Sequence, residues 1–374
     1  MRLVLLLFVA IFQQIIVTAQ YKVIIRINSL PGSSVTESIY VAGNFNGWNP
    51  KDEQFKLKKE SDGKFAITIP NVAAGDYEFK FTRGGWETVE TTVEGRQVAN
   101  RTLKLMSDTT LNLDIDGWSQ GKPKQIPHSA NSQVQILDSA FYIPQLDRRR
   151  RIWIYLPKDY QASKTKYPVL YMHDGQNLFD DATSFAGEWG IDDALDSAKK
   201  QCIVVGIDNG GVKRMNEYNA YDHEKFGKGE GDLYVEFIAK TLKPYIDKHY
   251  RTKKDAANTI IAGSSMGGLI SIYAVVKYPK TFGKAGVFSP AFWVAPQLKA
   301  DIEKKVKTST HKNVRIYFYG GDQEGGDMVK EMLYIFELMR KKANPKMRVR
   351  INAEGKHNEP TWRDEFPSFY EWIL

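Results

Sequence analysis

The stretch Asn258-Thr259-Ile260-Ile261-Ala262-Gly263-Ser264-Ser265-Met266-Gly267-Gly268-Leu269-Ile270-Ser271-Ile272-Tyr273-Ala274 decides the reading of this chain. Its first third is an apolar, β-branched run of the kind that forms a buried strand. Its last third carries apolar residues in helical spacing and extends to about Tyr278. Between them, Gly263-Ser264-Ser265-Met266-Gly267 matches G-x-S-x-G, a pattern whose serine sits on a sharp turn from strand to helix. Such a turn strains the backbone and crowds its neighbours, so small residues are needed on both sides. The helix that follows directs free N–H groups toward the turn, where negative charge would be favoured. By spacing, Ser265 is the candidate nucleophile and Ser264 is not.

A serine hydroxyl is a weak nucleophile near neutral pH, and it needs a base that is itself oriented by an acid. With this motif the acid and then the histidine follow the serine in the chain. Two histidines lie after Ser265. His311 falls in a polar stretch before a strand. His357 falls in Glu354-Gly355-Lys356-His357-Asn358-Glu359, after the strand expected at 347–351, and is the better placed base. The acid belongs at the end of the strand 314–319, where Gly320-Gly321-Asp322-Gln323-Glu324-Gly325-Gly326-Asp327 offers three carboxylates. Spacing alone does not choose among Asp322, Glu324 and Asp327.

Working outward, strands alternate with helices from about residue 136. Expected strands cover 167–172, 202–207, 258–262 and 314–319, and residues 234–250 carry the apolar face of a helix. This alternation implies a mostly parallel sheet covered by helices on both faces. The preceding part differs. Residues 21–27, 38–42, 64–69 and 77–81 are short alternating runs separated by turn clusters such as Ser61-Asp62-Gly63, which suggests a β-sandwich of about 100 residues. Residues 119–139 begin polar and hold two prolines, Pro123 and Pro127, and are read as a linker. At the front, Met1-Arg2 precedes an apolar run from Leu3 to Val17, and Val17-Thr18-Ala19 supplies small residues. Residues 1–19 are therefore expected to be a secretory signal. A membrane span needs about 20 apolar residues, so no stable membrane anchor is expected.

The chain has 374 residues, 42% hydrophobic and 12% aromatic, with net charge +8. Its single cysteine, Cys202, lies in an apolar run and is expected to be a buried small hydrophobe; no internal disulfide can form. The sharpest basic run, Arg148-Arg149-Arg150-Arg151, leads into a strand and reads as its solvated entry rather than as a nucleic-acid surface. His173-Asp174 alone does not make a zinc site. No metal, no cofactor and no nucleic-acid partner is expected, and no oligomeric state is set.

Residues 140–374 resemble the esterase D and enterochelin-esterase branch of the α/β-hydrolases, which includes carbohydrate esterases acting on feruloyl and acetyl groups. The resemblance rests on Tyr155-Leu156-Pro157, on Tyr171-Met172-His173-Asp174-Gly175-Gln176-Asn177-Leu178-Phe179, on Val205-Gly206-Ile207-Asp208-Asn209, on Arg214-Met215-Asn216-Glu217-Tyr218 and on Gly263 to Gly268. It implies Glu324 as the acid, from the turn Gly321-Asp322-Gln323-Glu324. It also implies an oxyanion hole made by the backbone N–H groups of Met266 and Gln176. Residues 20–118 resemble the immunoglobulin-like glycogen- and starch-binding modules, through Val41-Ala42-Gly43-Asn44-Phe45-Asn46-Gly47-Trp48-Asn49-Pro50 and Phe79-Lys80-Phe81-Thr82-Arg83-Gly84-Gly85-Trp86. There Trp48 and Trp86 would stack on sugar rings and Lys80 would bond a hydroxyl. The whole reads as an all-β immunoglobulin-like sandwich followed by an α/β-hydrolase with a mostly parallel sheet. The implied function is secreted or periplasmic hydrolysis of acyl esters, on a glycan or a small ester. A siderophore esterase, an acyl transferase and a non-catalytic glycan-binding protein are the alternatives.

Overall fold

The computed structural model describes residues 20–32, 38–93, 95–119 and 126–374; the expected signal at 1–19 lies outside them. The chain divides into two compact units, residues 1–123 and 124–374.

The first unit is all-β. Its strands are β1 (Gln20–Ser29), β2 (Tyr40–Gly43), β3 (Lys58–Lys59), β4 (Phe65–Ala73), β5 (Gly75–Thr82), β6 (Glu90–Thr91), β7 (Arg101–Leu105), β8 (Thr109–Asp114) and β9 (Gly117–Trp118). One sheet runs β3-β4-β1-β8 and a second β2-β5-β7. Alternation in β1 buries Val23, Ile25 and Ile27 and leaves the residues between them more exposed, as expected of a strand with one face on a core. Those residues share one apolar cluster with Val41, Phe65, Ile67, Phe79, Phe81 and Leu105, so both sheets contribute to a single core.

The second unit is built on one sheet of eight strands. They are β10 (Val134–Ile143), β11 (Arg148–Tyr155), β12 (Val169–His173), β13 (Ile203–Ile207), β14 (Thr259–Ser264), β15 (Lys284–Phe288), β16 (Arg315–Gly321) and β17 (Lys346–Asn352). The order is β10-β11-β13-β12-β14-β15-β16-β17. The last six are parallel, and β10 and β11 join antiparallel at one edge. Strands β12 to β15 are buried along their whole length, which is why β12, β13 and β14 read as largely apolar runs. Separate apolar clusters lie on the two faces of the sheet, under the helices Met266–Lys277 and Glu359–Ile373 among others. The helix expected over 234–250 runs from Gly231 to His249, with one wider turn at Ile238–Leu242. Among the described residues no helix is long and apolar enough to cross a membrane.

Three expectations are corrected. The stretch 119–139 is not linker throughout, because β10 begins at Val134 and residues before it are already bound to the second unit. Asn131, for example, donates its amide to Asp192 at 2.9 Å. The arginine run is not a solvated strand entry either. Arg148 bonds Glu217 and Glu230, Arg150 bonds Glu217, and Arg151 bonds Asp208, at 2.6–2.8 Å. His311 is buried in the short helix Thr308–His311, where Nε2 lies 3.2 Å from the Val276 carbonyl; it is a packed side chain, not a loop residue. Cys202 is buried as expected, and burial pushes its thiol up to about 12.

Candidate active site

Parallel strands end side by side, and their C-terminal ends carry the loops that can form a site. Here β14 runs straight into the candidate nucleophile. Ser265 has φ 59° and ψ −119°, between the buried end of β14 and the helix Met266–Lys277. Such a conformation costs a non-glycine residue roughly 1–3 kcal/mol and persists only when its surroundings fix it. They do: the Ser265 amide donates to the Phe288 carbonyl at 2.9 Å, and its carbonyl accepts from Leu269 and Ala291 at 3.1 Å. The motif's glycines are explained by close approach. A Cβ on Gly263 would lie 3.0 Å from the His173 ring, and one on Gly268 would lie 2.9 Å from the Phe288 carbonyl. Ser264 ends β14, buried.

The candidate acid and base meet. His357 Nδ1 lies 2.8 Å from Glu324 Oε2, and the Glu324 side chain is fully buried. The other oxygen of Glu324 accepts from the Ser289 hydroxyl and the Gly321 amide, both at 2.6 Å. Of the three candidate carboxylates only Glu324 turns inward, while Asp322 and Asp327 are exposed. His357 is partly exposed, which suits a base that must reach substrate.

Sequence reasoning missed two members of this cluster. Ser289 is fully buried, and its hydroxyl accepts from Trp362 Nε1 at 2.9 Å while donating to Glu324. The Trp362 ring also packs edge-on against His357, centroids 5.1 Å apart. One indole therefore fixes the residue behind the acid and walls the base. The available signal was Trp362 five residues after His357; Ser289 gave none, because the strand before it, β15, was not expected.

The two candidate oxyanion donors sit on adjacent strand ends. Met266 heads its helix, where the first N–H groups lack intrahelical partners. Gln176 lies in the tight turn Gly175–Asn177 after β12, which pairs directly with β14. The two ends touch, since a Cβ on Gly267 would lie 3.3 Å from His173 Cβ and 3.6 Å from an Asp174 oxygen. His173 is buried against the Tyr234 hydroxyl at 3.0 Å, and burial lowers it to about 3, so it stays neutral. Asp174 is held by Arg214 below its ordinary range even against burial. Among the described residues no group of three His, Cys, Asp or Glu could hold a metal.

Two exposed aromatic side chains flank these loops. Trp293 lies in the turn Phe292–Val294, just after the Ala291 that bonds the Ser265 carbonyl. Phe185 lies in the loop whose amide at that residue bonds the Asn177 side chain at 2.9 Å.

In the first unit, the rings of Trp48 and Trp86 lie 6.2 Å apart, tilted by 42°. Trp86 is 43% exposed and Trp48 half-buried. Lys80 does not join them, which corrects its expected role. It is 5% exposed, its ammonium donates to the Val98 carbonyl at 2.5 Å, and burial lowers its pKa despite Glu90 nearby.

A model of the Esterase family, described as "Putative esterase", matches residues 143–372. The chain is 25% identical over 248 residues to the endo-1,4-beta-xylanase/feruloyl esterase of Xylanibacter ruminicola, covering 64% of this chain but 31% of that protein. It is 38% identical over 92 residues to the alpha-amylase of Niallia circulans, 24% of this chain and 7% of that one. The chain thus spans less than a third of either relative. The crystal structure of the enterobactin esterase of Shigella flexneri is similar with TM-score 0.55 and 13% identity, covering 91% of this chain and 90% of that chain. With residues 143–372 matched and the sheet, elbow and loops arranged as described, the chain belongs to the Esterase family.

Proposed function

We propose that the protein is a serine carboxylic-ester hydrolase that removes acetyl or feruloyl-type groups from a polysaccharide or oligosaccharide. One observation carries the chemistry: the Glu324–His357 bond stands with a serine held on a strained strand-to-helix turn. Glu324 fixes Nδ1 as the protonated ring nitrogen, which leaves Nε2 to take the Ser265 proton as Oγ attacks the ester carbonyl. The amides of Met266 and Gln176 receive the oxyanion, a contribution often worth about 3 kcal/mol per donor. Collapse expels the alcohol, which takes its proton from His357. Water, deprotonated by the same ring, then attacks the acyl-serine and releases the acid.

Two features support an acylated glycan. The indoles of Trp48 and Trp86 form a pair of the size that stacks on sugar rings, and part of the chain is similar to an alpha-amylase. The exposed Trp293 and Phe185 suit an apolar or aromatic acyl group. The apolar run Leu3 to Val17 supports export to where such glycans are met. A siderophore ester is the second reading, supported by the net charge of +8, which suits an anionic iron complex.

The test starts with p-nitrophenyl acetate. Ser265→Ala should lower kcat by at least about 10⁴-fold without changing the melting temperature, and Ser264→Ala should matter far less. The reverse order would move the nucleophile, and no turnover by the parent would leave a binding protein. A screen of acetylated xylan, feruloylated arabinoxylan and a ferric siderophore then separates the two substrate readings.

A further inference from the structure

We propose that Asp174, gripped by Arg214 and Asn209, is a positioning residue that fixes the Gln176 amide as an oxyanion donor; this rests on the esterase reading above. Asp174 is the residue on which the chain leaves β12 and turns into Gly175–Asn177, and it does so with φ 56° and ψ 48°. That left-handed conformation is uncommon for a non-glycine residue, although aspartate adopts it more readily than most. Here the constraint is complete. The Asp174 amide donates to the Tyr218 hydroxyl at 3.1 Å, and its carbonyl accepts from Asn177 at 2.8 Å. Its carboxylate accepts Arg214 Nε at 2.7 Å, Arg214 Nη2 at 2.9 Å and Asn209 Nδ2 at 2.8 Å.

The same brace reaches Gln176. The Asn209 amide donates to Gln176 Oε1 at 3.2 Å, so Asn209 holds Asp174 with its side chain and Gln176 with its backbone. The Gln176 carbonyl accepts from Thr183 Oγ1 at 2.7 Å. Gly175, between them, leaves no slack, because a Cβ there would lie 2.8 Å from the backbone of Gly206 and Ile207. The peptide that carries the Gln176 N–H is therefore fixed from both sides. The bracing groups Asn209, Arg214 and Tyr218 all follow β13. They belong to two sequence motifs, Val205 to Asn209 and Arg214 to Tyr218, to which no step of the ester chemistry assigns a role.

Stability alone does not account for this arrangement. A buried ion pair is often no better for stability than apolar packing of the same shape, and its attested use is to select one geometry. An oxyanion donor works only if it is aimed before the charge develops, and a displacement of about 1 Å can cost about 10²-fold in rate. The paired geometry also requires arginine, because a lysine offers no planar fork.

The test compares Asp174→Asn, Arg214→Lys and Asn209→Ala in the full chain. Each is measured for kcat and KM on p-nitrophenyl acetate, for the inhibition constant of phenylboronic acid, which adds to a serine as a tetrahedral mimic, and for melting temperature. Asp174→Asn should lower kcat about 10²–10³-fold and weaken the boronic acid by a similar factor, with KM within about threefold. Arg214→Lys should fall between it and the parent, and Asn209→Ala, which spares the ion pair, should lose about tenfold. Folded variants that keep kcat and boronate affinity within about threefold, or that lose only in KM, would overturn the proposal. If Asp174→Asn does not fold, the other two decide by the same criterion. Ser265→Ala run in parallel keeps the questions apart: turnover surviving there sinks the esterase reading, whereas turnover lost there and intact in the brace variants sinks only the brace.

Discussion

Glu324, Asp322 and Asp327 lie within six residues of one another, yet only Glu324 has its carboxylate fully buried and shared among His357, Ser289 and Gly321. Glu324→Gln should therefore lower kcat by about 10⁴-fold, the scale seen when an orienting carboxylate is neutralised in place. Asp322→Asn and Asp327→Asn should stay within a few fold, measured on the same small ester; a larger loss from either would reassign the acid. Ser289→Ala belongs with this set. It leaves the Trp362 indole N–H without its acceptor, a cost of about 1–3 kcal/mol that a melting curve would read. Ser265 and His357 could be singled out as candidates from the sequence because each stands in a distinctive local pattern. It could not choose the acid, because three carboxylates in one turn differ only in which way the turn rotates them. Lys80 was misread for a related reason. Phe79, Lys80 and Phe81 are all buried, so the alternation that would tell an inner from an outer face is absent at that end of β5.

At the scale of elements, β12, β13 and β14 were legible because strands covered on both faces are continuous apolar runs. Two strands were not. β15, Lys284-Ala285-Gly286-Val287-Phe288, is short and carries a lysine and a glycine, and its Gly286 is small because a Cβ would meet the Phe369 ring at 2.6 Å. β10 is an edge strand that follows the polar stretch without a break and carries exposed Gln135, Asp138 and Ser139, so its start was absorbed into the linker. The segment joining the turn Gly175–Asn177 to the helix Ile191–Asp196 carries a pH-dependent strain. Burial, reinforced by Asp192 and Asp181, pushes Glu188 up to about 7, and burial pushes Asp192 up to about 6. A carboxyl raised in the folded state contributes its stability below its unfolded value of about 4.3, and loses it as pH rises through the folded value. Glu188→Gln should therefore melt with the parent near pH 4.5 and above it at pH 8. A variant no more stable than the parent at pH 8 would show that the carboxylate is satisfied there.

For the whole molecule, the bias of +8 does not gather in the arginine run, since Arg148, Arg150 and Arg151 are spent on Glu217, Glu230 and Asp208. The arginine run thus marks no binding surface, whereas the two-unit plan was legible from the change in strand spacing near residue 120. The first unit's contribution can be separated from the chemistry. Trp86→Ala and Trp48→Ala should weaken retention on an insoluble polysaccharide while sparing turnover of p-nitrophenyl acetate, because stacking area takes no part in the chemical step. Deleting a buried tryptophan usually costs about 3–5 kcal/mol. Unchanged retention with a clearly lowered melting temperature for Trp48→Ala would make the pair a structural plug.

The solitary sulfhydryl of Cys202 has a practical corollary. It is sealed beneath the sheet and held in its unreactive protonated form, so electrophilic reagents meet no competing thiolate on the native surface. The wild-type chain is in effect a blank background for site-directed chemistry. A cysteine introduced at Val212, which is 95% exposed on the loop following β13, would be the sole point of attachment for a fluorophore or spin label. Such a reporter would read the movements of that loop without any prior engineering of the protein.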